Sequence, residues 1–233
     1  MKKIFLISTL TLLSITAFAQ NKVRFGFTTS PGISWYNADN NRIDSKGTRF
    51  SFNYGAIVDL IIDNNDRYAI TTGLTIDMNG GKLKGIPEEG STISGSSSLT
   101  TKVQYLEIPV GLKLRSNETA KNLTYYGTLG LINGFRIRSR GKYEFASNEA
   151  GVSSISEKNI KIKNLRTFPT DIKKVNPYQL ALHFEAGVEY RVSDNTSVVG
   201  GLYFRNGFTN VIDDNDHERV VARGLGLRIA VMF

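Results

Sequence analysis

The chain has 233 residues, with 29 Lys and Arg against 21 Asp and Glu, and it contains no Cys. The absence of Cys excludes a lipidated N-terminal cysteine and a disulfide framework. Beyond the N-terminal segment, no run of about 18 apolar residues occurs, so a transmembrane helix is excluded as well. The many Gly (22), Phe (13) and Tyr (10) residues fit a periplasmic β protein or an outer-membrane barrel, and composition does not choose between them.

The first predicted element is a signal peptide. Two lysines precede an apolar stretch at residues 4–13, and the sequence Ala-Phe-Ala follows at 17–19. A basic start, an apolar core and a small-residue cleavage site are typical of Sec-type export signals. We expect residues 1–19 to be cleaved, which leaves a barrel domain at 20–233 with 27 basic and 21 acidic residues, a net charge of +6.

Eight later segments alternate apolar and polar side chains with the period of a β-strand. The clearest segment is residues 178–192. One of its faces reads Tyr, Leu, Leu, Phe, Ala, Val, Tyr, Val, and the other reads Gln, Ala, His, Glu, Gly, Glu, Arg. Each segment supplies the ~9–11 residues that a membrane-spanning strand needs. In chain order the predicted strands are residues 23–36, 50–62, 67–78, 105–114, 123–140, 178–192, 197–209 and 219–233.

The connections between the predicted strands alternate between short and long. The short ones are rich in Asn and Asp, which favour tight turns. Short periplasmic turns and long extracellular loops are typical of transmembrane β-barrels. We therefore predict an all-β fold, an eight-stranded antiparallel up-and-down transmembrane barrel with periplasmic termini. The short connections are 63–66, 116–121 and 193–196, and the long ones 37–47, 79–100, 141–176 and 210–218.

Charges at mid-strand indicate which way the two faces point. Asp59, Glu107, Glu185 and Arg228 lie on the polar faces, whose other positions are often Gly, Ala or Ser. A soluble, lipocalin-like barrel is the alternative, but it would turn its apolar faces inward. In an outer-membrane barrel the apolar faces meet lipid and aromatic girdles mark the interfaces. Aromatic residues near the ends of the apolar faces favour this second arrangement: Trp35, Tyr68, Tyr178, Tyr190 and Phe233.

By the same alternation, many charged side chains point into the predicted lumen. They are Asp59, Asp77, Glu107, Glu185, Glu189, Arg24, Arg67, Lys113, Arg136, Arg138, Arg191, Arg205 and Arg228, with His183 between them. Such a set would form either an ion or proton path or a structural plug of salt bridges. Eight strands enclose an interior that side chains just fill, which favours the plug. We predict its network as Asp59, Glu107, Lys113, His183, Glu185, Glu189, Arg191 and Arg228.

A basic cluster ends the fifth predicted strand. Arg136, Arg138 and Arg140 share one face there, at the extracellular end of the strand. Guanidinium groups suit bidentate contacts with phosphate. The cluster would suit contact with lipopolysaccharide phosphates or another anion at the barrel mouth, but pairing with loop carboxylates or simple solvation is the interpretation that we favour.

The last long connection contains the sequence DDNDHE at 213–218. Its carboxylates with His217 would suit Ca²⁺, or an Asp–His base built on Asp213 in an outer-membrane lipid or peptide hydrolase. No G-x-S-x-G motif occurs, and the spacing is not that of an EF-hand. Acidic turns of this kind are commonly solvated loops, so we predict no catalytic residue, no metal and no cofactor.

The fourth predicted strand belongs to the segment VQYLEIPVGLKLRS at 103–116. It resembles the YLEIP-x-x-LK strand of the PorT-like outer-membrane β-barrel proteins of the Bacteroidota. The matching residues are Tyr105, Leu106, Glu107, Ile108, Pro109 and Lys113. The resemblance implies a Gram-negative outer-membrane barrel, and the family's founding member acts in protein secretion.

The predicted function is therefore a non-catalytic structural, binding or secretion-associated component of the cell envelope. Its expected partners are outer-membrane lipids including lipopolysaccharide, the barrel-assembly machinery, and envelope or secretion proteins. Nucleic acid is not expected as a partner of an exported barrel. A lipid or peptide hydrolase and a narrow ion conduit remain the alternatives.

Two irregularities are expected within the strands. Pro109 has no N–H, so it should mark a bulge in a paired strand. Residues 159–168 alternate again and are expected to extend a strand above the membrane.

The last nine residues, LGLRIAVMF, alternate up to the final aromatic. We expect Arg228 to face the lumen, while lipid meets Leu225, Leu227, Ile229, Val231 and Phe233. In the family that the chain resembles, a terminal aromatic is read by the barrel-assembly machinery. Phe233 is therefore predicted to be an assembly signal.

Overall fold

A computed structural model describes residues 22–38, 43–45, 47–85, 95–119, 121–147, 158–160, 163–165, 172–214 and 219–233. The predicted signal peptide lies outside these ranges. In the described part of the chain, no helix is long and apolar enough to cross a membrane. The strands are β1 (Val23–Ala38), β2 (Ile43–Ser45), β3 (Arg49–Ile61), β4 (Tyr68–Asn79), β5 (Lys82–Gly85), β6 (Gly95–Arg115), β7 (Leu123–Ser147), β8 (Lys158–Ile160), β9 (Lys163–Leu165), β10 (Ile172–Val175), β11 (Tyr178–Arg191), β12 (Ser197–Gly207), β13 (Ile212–Asp214) and β14 (Val220–Met232).

Eight long strands close into one antiparallel barrel. Their order around it is β1, β3, β4, β6, β7, β11, β12 and β14, and β14 pairs with β1. Successive long strands are neighbours, so the topology is up-and-down. Closure gives every long strand two partners, which a β structure needs in lipid because no water is there to satisfy its backbone. The predicted eight-stranded barrel is confirmed.

The three predicted tight turns lie at one end of the barrel, the short-turn end. Asp66 and Asn122 adopt left-handed backbone conformations there, with φ of 57° and 67°. Asp and Asn tolerate this region better than most residues. The N-terminal strand starts at the same end, where Lys22 Nζ lies 3.1 Å from Asp66 Oδ2. In barrels of this class, the short turns are periplasmic.

A belt of exposed apolar side chains surrounds the barrel. On β7 its aromatic residues Tyr125 and Phe135 are ten residues apart, about the length that crosses a bilayer, and exposed Ile137 follows them. Aromatic residues lie at both of its edges, as expected at membrane interfaces. They are Phe25, Tyr68, Tyr125, Tyr190 and Phe233 at the short-turn edge, and Phe50, Phe135, Tyr178 and Phe208 at the other. This exposed belt excludes the soluble alternative.

Beyond the belt, at the long-loop end, the polarity of the strands reverses. On β6 the buried inward position Glu107 is followed by the buried, mainly apolar positions Tyr105 and Val103. The outward positions change in the opposite sense, from exposed Ile108 to exposed Lys102. Because a strand in water keeps its apolar face inside, the membrane boundary on β6 lies between Ile108 and Lys102.

The strand ends beyond this boundary form a folded unit, here called the head. It contains the outer ends of β1, β6, β7 and β14 with β2, β5, β8 and a three-stranded sheet of β9, β10 and β13. Its buried core is Tyr36, Leu83, Leu99, Val103, Tyr105, Val175, Val211, Ile212, Val220 and Ala222. The ring of Tyr36 lies so close to Gly81 that a Cβ there would be 2.4 Å from its Cδ2 atom.

Strands do continue above the membrane within residues 159–168. β8 pairs with β7, and β9 pairs with β10. Residues 161–162 and 166–168 lie outside the described residues.

The prediction of a bulge at Pro109 is wrong. β6 pairs with β4 in one unchanged register on either side of it, at Thr72 with Val110 and at Thr75 with Glu107. The ladder between β6 and β7 is unbroken at the proline. The missing N–H therefore interrupts pairing with β4 locally and inserts no extra residue.

The seam between the first and last strands ends on two phenylalanines. Phe25 N–H donates to the Phe233 carbonyl at 3.2 Å, and Phe233 N–H donates to the Phe25 carbonyl at 2.7 Å. Their ring centroids are 5.5 Å apart. The last residue thus extends the ladder that closes the barrel.

Replacing Phe233 with Ala is expected to weaken this seam. An aromatic pair contributes about 0.5–1.5 kcal/mol beyond its buried area. The temperature at which the purified barrel loses its folded gel mobility in detergent should fall. Phe208→Ala is the matched control, since Phe208 is exposed to the same extent (43% against 42%) but lies away from the seam.

A role of Phe233 as an assembly signal can be distinguished by experiment from its role in barrel stability. If Phe233 is also an assembly signal, the variant will refold from urea into detergent yet accumulate poorly in the outer membrane. Equal membrane accumulation of Phe233→Ala and Phe208→Ala would contradict that role.

Candidate functional site

The lumen within the belt is filled by a balanced set of charges. Five carboxylates and five basic side chains form ion pairs there, and most of these side chains are buried. A buried charge is tolerated only when it is paired and hydrogen-bonded. The set is Asp59, Asp77, Glu107, Glu185, Glu189, Arg24, Lys113, Arg115, Arg205 and Arg228.

The first group of pairs lies nearest the short-turn end. Asp59 is fully buried and accepts hydrogen bonds from Lys113 Nζ at 2.8 Å and Arg115 Nη2 at 2.6 Å. Arg115 Nε also lies 3.3 Å from Glu189, whose other oxygen is 2.5 Å from Arg24 Nη1. Four different strands are joined across the lumen by these contacts.

The second group is centred on Glu185 at mid-height. Arg228 pairs with this carboxylate, Tyr126 Oη donates to it at 2.5 Å, and His183 Nε2 lies 3.0 Å away. Arg228 Nε also donates to Thr28 Oγ1 at 3.1 Å. His183 is therefore placed as a partner of a carboxylate that a permanent cation already neutralises.

The third group lies closest to the head. Arg205 forms a two-pronged contact with Glu107, at 2.7 and 3.1 Å, and also lies 2.9 Å from Asp77. Asn53 donates to Glu107 at 3.0 Å, and Asn79 donates to Asp77 at 2.7 Å. Every carboxylate oxygen of Glu107 is thus occupied.

Small cavities lie between these groups in the described part of the chain. One of about 30 Å³ is bordered by His183 and Arg205, and two others measure about 10 Å³ each. Among the described residues, His183 Nδ1, Arg205 Nε and both amide atoms of Gln179 are buried without a protein partner. Spaces of this size beside buried polar groups suit isolated waters.

Two bases predicted for the lumen, Arg191 and Arg67, lie at the short-turn end instead. The prediction for Arg191 is wrong, because it is the last residue of β11 and pairs with Glu118 at the exposed short-turn end. Arg67 likewise donates to Asn117 at that end. Arg115 was missed, although it shares the inward parity of Lys113, because the fourth strand was predicted to end one residue earlier.

The three arginines at the end of the fifth predicted strand do not share a face. Between β6 and β7 the register shifts, so that Gln104 pairs with Arg138 while Tyr105 pairs with Arg136. This bulge reverses the side-chain alternation beyond it. Arg136 points inward and donates to the Val175 carbonyl, whereas Arg138 and Arg140 are exposed on the outer face.

The acidic sequence near the end of the chain is only partly described. Residues 213–214 lie in β13, whose backbone pairs with β10, and residues 215–218, including His217, lie outside the described residues. Within the described ranges, no group of three or more His, Asp or Glu side chains is arranged to hold a metal ion.

Removing the cation of the third group, Arg205, should lower the free energy of unfolding of the barrel. Arg205→Leu would leave two buried carboxylates without their cation, and breaking a buried pair in this way costs about 3–5 kcal/mol. The free energy of unfolding of the refolded barrel in urea would measure it. Arg191→Leu is the control, because an exposed pair contributes about 0–1 kcal/mol. Equal losses in the two variants would contradict the structural role of the network.

Several solved outer-membrane barrels are similar to this chain at low identity. Ail, the attachment invasion locus protein of Yersinia pestis, is 14% identical with a TM-score of 0.35, covering 91% of this chain and 99% of its own. Neisserial surface protein A (NspA) is 13% identical with a TM-score of 0.39, covering 89% and 97%. The outer membrane protease OmpT from Escherichia coli is 9% identical with a TM-score of 0.42, covering 92% and 96%. Likenesses this weak transfer no function, and no curated protein matches the chain.

One protein family matches most of the chain. It is described as "Outer membrane protein beta-barrel domain", and the match covers residues 18–213. The closed barrel and its lipid-facing apolar belt agree with that description. The chain therefore belongs to the outer membrane protein beta-barrel domain family and is a β-barrel of the outer membrane.

Proposed function

We propose that this protein is a non-catalytic, non-conducting barrel that holds its head rigidly at the cell surface, where the head binds another envelope component. The observation that carries this proposal is the continuity of the two longest strands. β6 and β7 extend for 21 and 25 residues from the short-turn end through the belt into the head. The head is thus built on the barrel wall.

The filled lumen supports the non-conducting part. Three groups of ion pairs cross the interior, and the apolar core of the head lies directly above them. An ion would have to separate buried pairs and then cross an apolar region. Both steps are unfavourable because charge is costly to strip of its partners or its water.

Contacts between the barrel wall and the head support its rigidity. Arg136, the last inward residue before the bulge on β7, donates to the Val175 carbonyl of β10. Asn176 N–H donates to the Val211 carbonyl at 2.8 Å, and Tyr36 Oη lies 2.5 Å from Thr101 Oγ1. The three-stranded sheet is therefore joined to the barrel wall through Arg136, and its residues Val175 and Ile212 lie in one apolar core with Tyr36.

A PorT-like role in secretion is a second candidate, and the strand motif at Tyr105–Lys113 favours it. In the barrel, however, the inward residues of this motif have structural partners: Tyr105 in the head core, Glu107 with Arg205, and Lys113 with Asp59. The motif thus has a sufficient explanation in the filling of the lumen. Photo-crosslinking from exposed head positions in intact cells would test the role, and capture of a secretion component would support it.

An outer-membrane hydrolase remains the enzymatic alternative, and it rests on the sequence at 213–218 alone. Hydrolysis of phospholipid or peptide by the purified barrel, lost in both Asp213→Ala and His217→Ala, would overturn the non-catalytic proposal.

In planar bilayers the purified protein is expected to show no stable conductance steps. The lumen charges are paired with one another, so a passing ion would have to separate buried ion pairs. Porin-scale steps that change size in Glu107→Gln or Arg228→Gln would contradict this expectation. An exposed control, Lys121→Gln at the short-turn end, should leave any residual leak unchanged.

Tyr36→Ala is expected to loosen the head and leave the barrel intact. Truncating a fully buried aromatic costs about 3–5 kcal/mol, enough to raise local opening by more than about tenfold. Trypsin should then cut within the head faster, while the heat-dependent gel mobility of the barrel persists. Trp35→Ala, the adjacent residue on the outer face, is the control. Unchanged proteolysis in Tyr36→Ala would contradict a rigid head.

A further inference from the structure

A cluster of basic side chains lies on the outer wall just above the belt. Lys102 on β6 pairs directly with Arg140 on β7, and Gln104 pairs with Arg138. Lys82 on β5 pairs with Thr100, the next outward position along β6. All four cations are exposed, and together they form what is here called the rim patch: Lys82, Lys102, Arg138 and Arg140.

Among the described residues, the arrangement of the rim patch is electrostatically unfavourable. Like charges directly opposite each other on neighbouring strands destabilise the pairing. None of the four side chains has an ion pair with a carboxylate in the described part of the chain. The nearby Asp44 on β2 lies opposite Lys84, the next outward position on β5. Lys84 is not one of the four patch residues. The patch therefore has the character of a site for an external anion.

The bulge on β7 creates the patch. Without the extra residue, Arg138 and Arg140 would continue the inward parity of Arg136 and point into the core of the head. Bulges commonly re-aim side chains in this way. Here the result is that two guanidinium groups face outward beside Lys102.

The position of the patch limits what can reach it. Arg138 follows Ile137, which is 57% exposed, and Phe135 and Ile108 continue the exposed apolar wall below. An anion bound at the patch thus lies at the level of lipid headgroups, next to a surface that suits acyl chains. A soluble anion would gain nothing from that apolar wall.

We propose that the rim patch binds the phosphate groups of a phosphorylated saccharolipid in the outer leaflet, with its acyl chains against the adjoining belt. The guanidinium groups of Arg138 and Arg140 supply bidentate contacts to phosphate oxygens, and Lys82 and Lys102 supply point charges. Basic residues near a membrane surface attract anionic headgroups in this way. The inference does not depend on what the head binds.

The test uses the full mature barrel in detergent with bisphosphorylated lipid A as the probe. The variant carries Lys102→Gln, Arg138→Gln and Arg140→Gln. The matched control carries Lys22→Gln, Lys121→Gln and Arg191→Gln, which removes the same charge at the short-turn end. Folding of each is checked by heat-dependent gel mobility, and if the triple variant does not fold, Arg138→Gln and Arg140→Gln are tested singly.

Wild type and control should bind the lipid with equal affinity, and the rim variant at least about tenfold more weakly. Enzymatically dephosphorylated lipid A should bind all three proteins equally weakly. Rim-variant binding equal to wild type would overturn the proposal, as would tight binding of the dephosphorylated lipid. Displacement of the lipid by inorganic phosphate at equal phosphate concentration would also overturn it, because the site would then recognise a free anion.

Discussion

A sheet in lipid has to satisfy its backbone hydrogen bonds within itself, and closure between β1 and β14 is how this chain meets that requirement. Closing eight strands leaves an interior that only side chains can fill. Because the outer face must be apolar, the polar residues of every strand are directed into that narrow space. The paired lumen charges follow from closure: carboxylates such as Asp59 can be buried there only beside Lys113 and Arg115.

The same strands pass through two solvents, and their side-chain pattern changes where the solvent changes. Within the membrane the inside is charged and the outside apolar, as at Glu107 and Ile108. In the head the inside is apolar and the outside basic, as at Val103 and Lys102. The bulge on β7 occurs at this transition. It lets Arg136 close the mouth of the lumen while the following arginines remain outside.

The packing of the interior accounts for charged residues in the segment from Tyr105 to Lys113. Among the inward residues of the segment from Tyr105 to Lys113, Glu107 pairs with Arg205 and Lys113 pairs with Asp59, both on strands far away in sequence. Residues of this kind are constrained by the filling of the lumen. We expect specific binding on the outer wall and in the head, because exposed side chains there can change without disrupting the filling of the lumen.

The alternation of side chains by itself determined which segments are strands, that the barrel has eight of them, and which face meets lipid, because a period of two fixes the face of every residue in a regular strand. It also placed Glu107, Glu185 and Arg228 inside.

The alternation could not determine which residues pair. Arg205 and Glu107 are 98 positions apart, and their contact depends on register and on the distance across the closed lumen. Nor could it locate the bulge beyond Arg136, since one extra residue reverses every later face without a signal of its own. The ends of strands were equally undetermined, so Arg191 was expected in the lumen and Arg115 was missed. Those positions were decided only by the tertiary structure, through pairing between strands and the depth of each residue along the barrel.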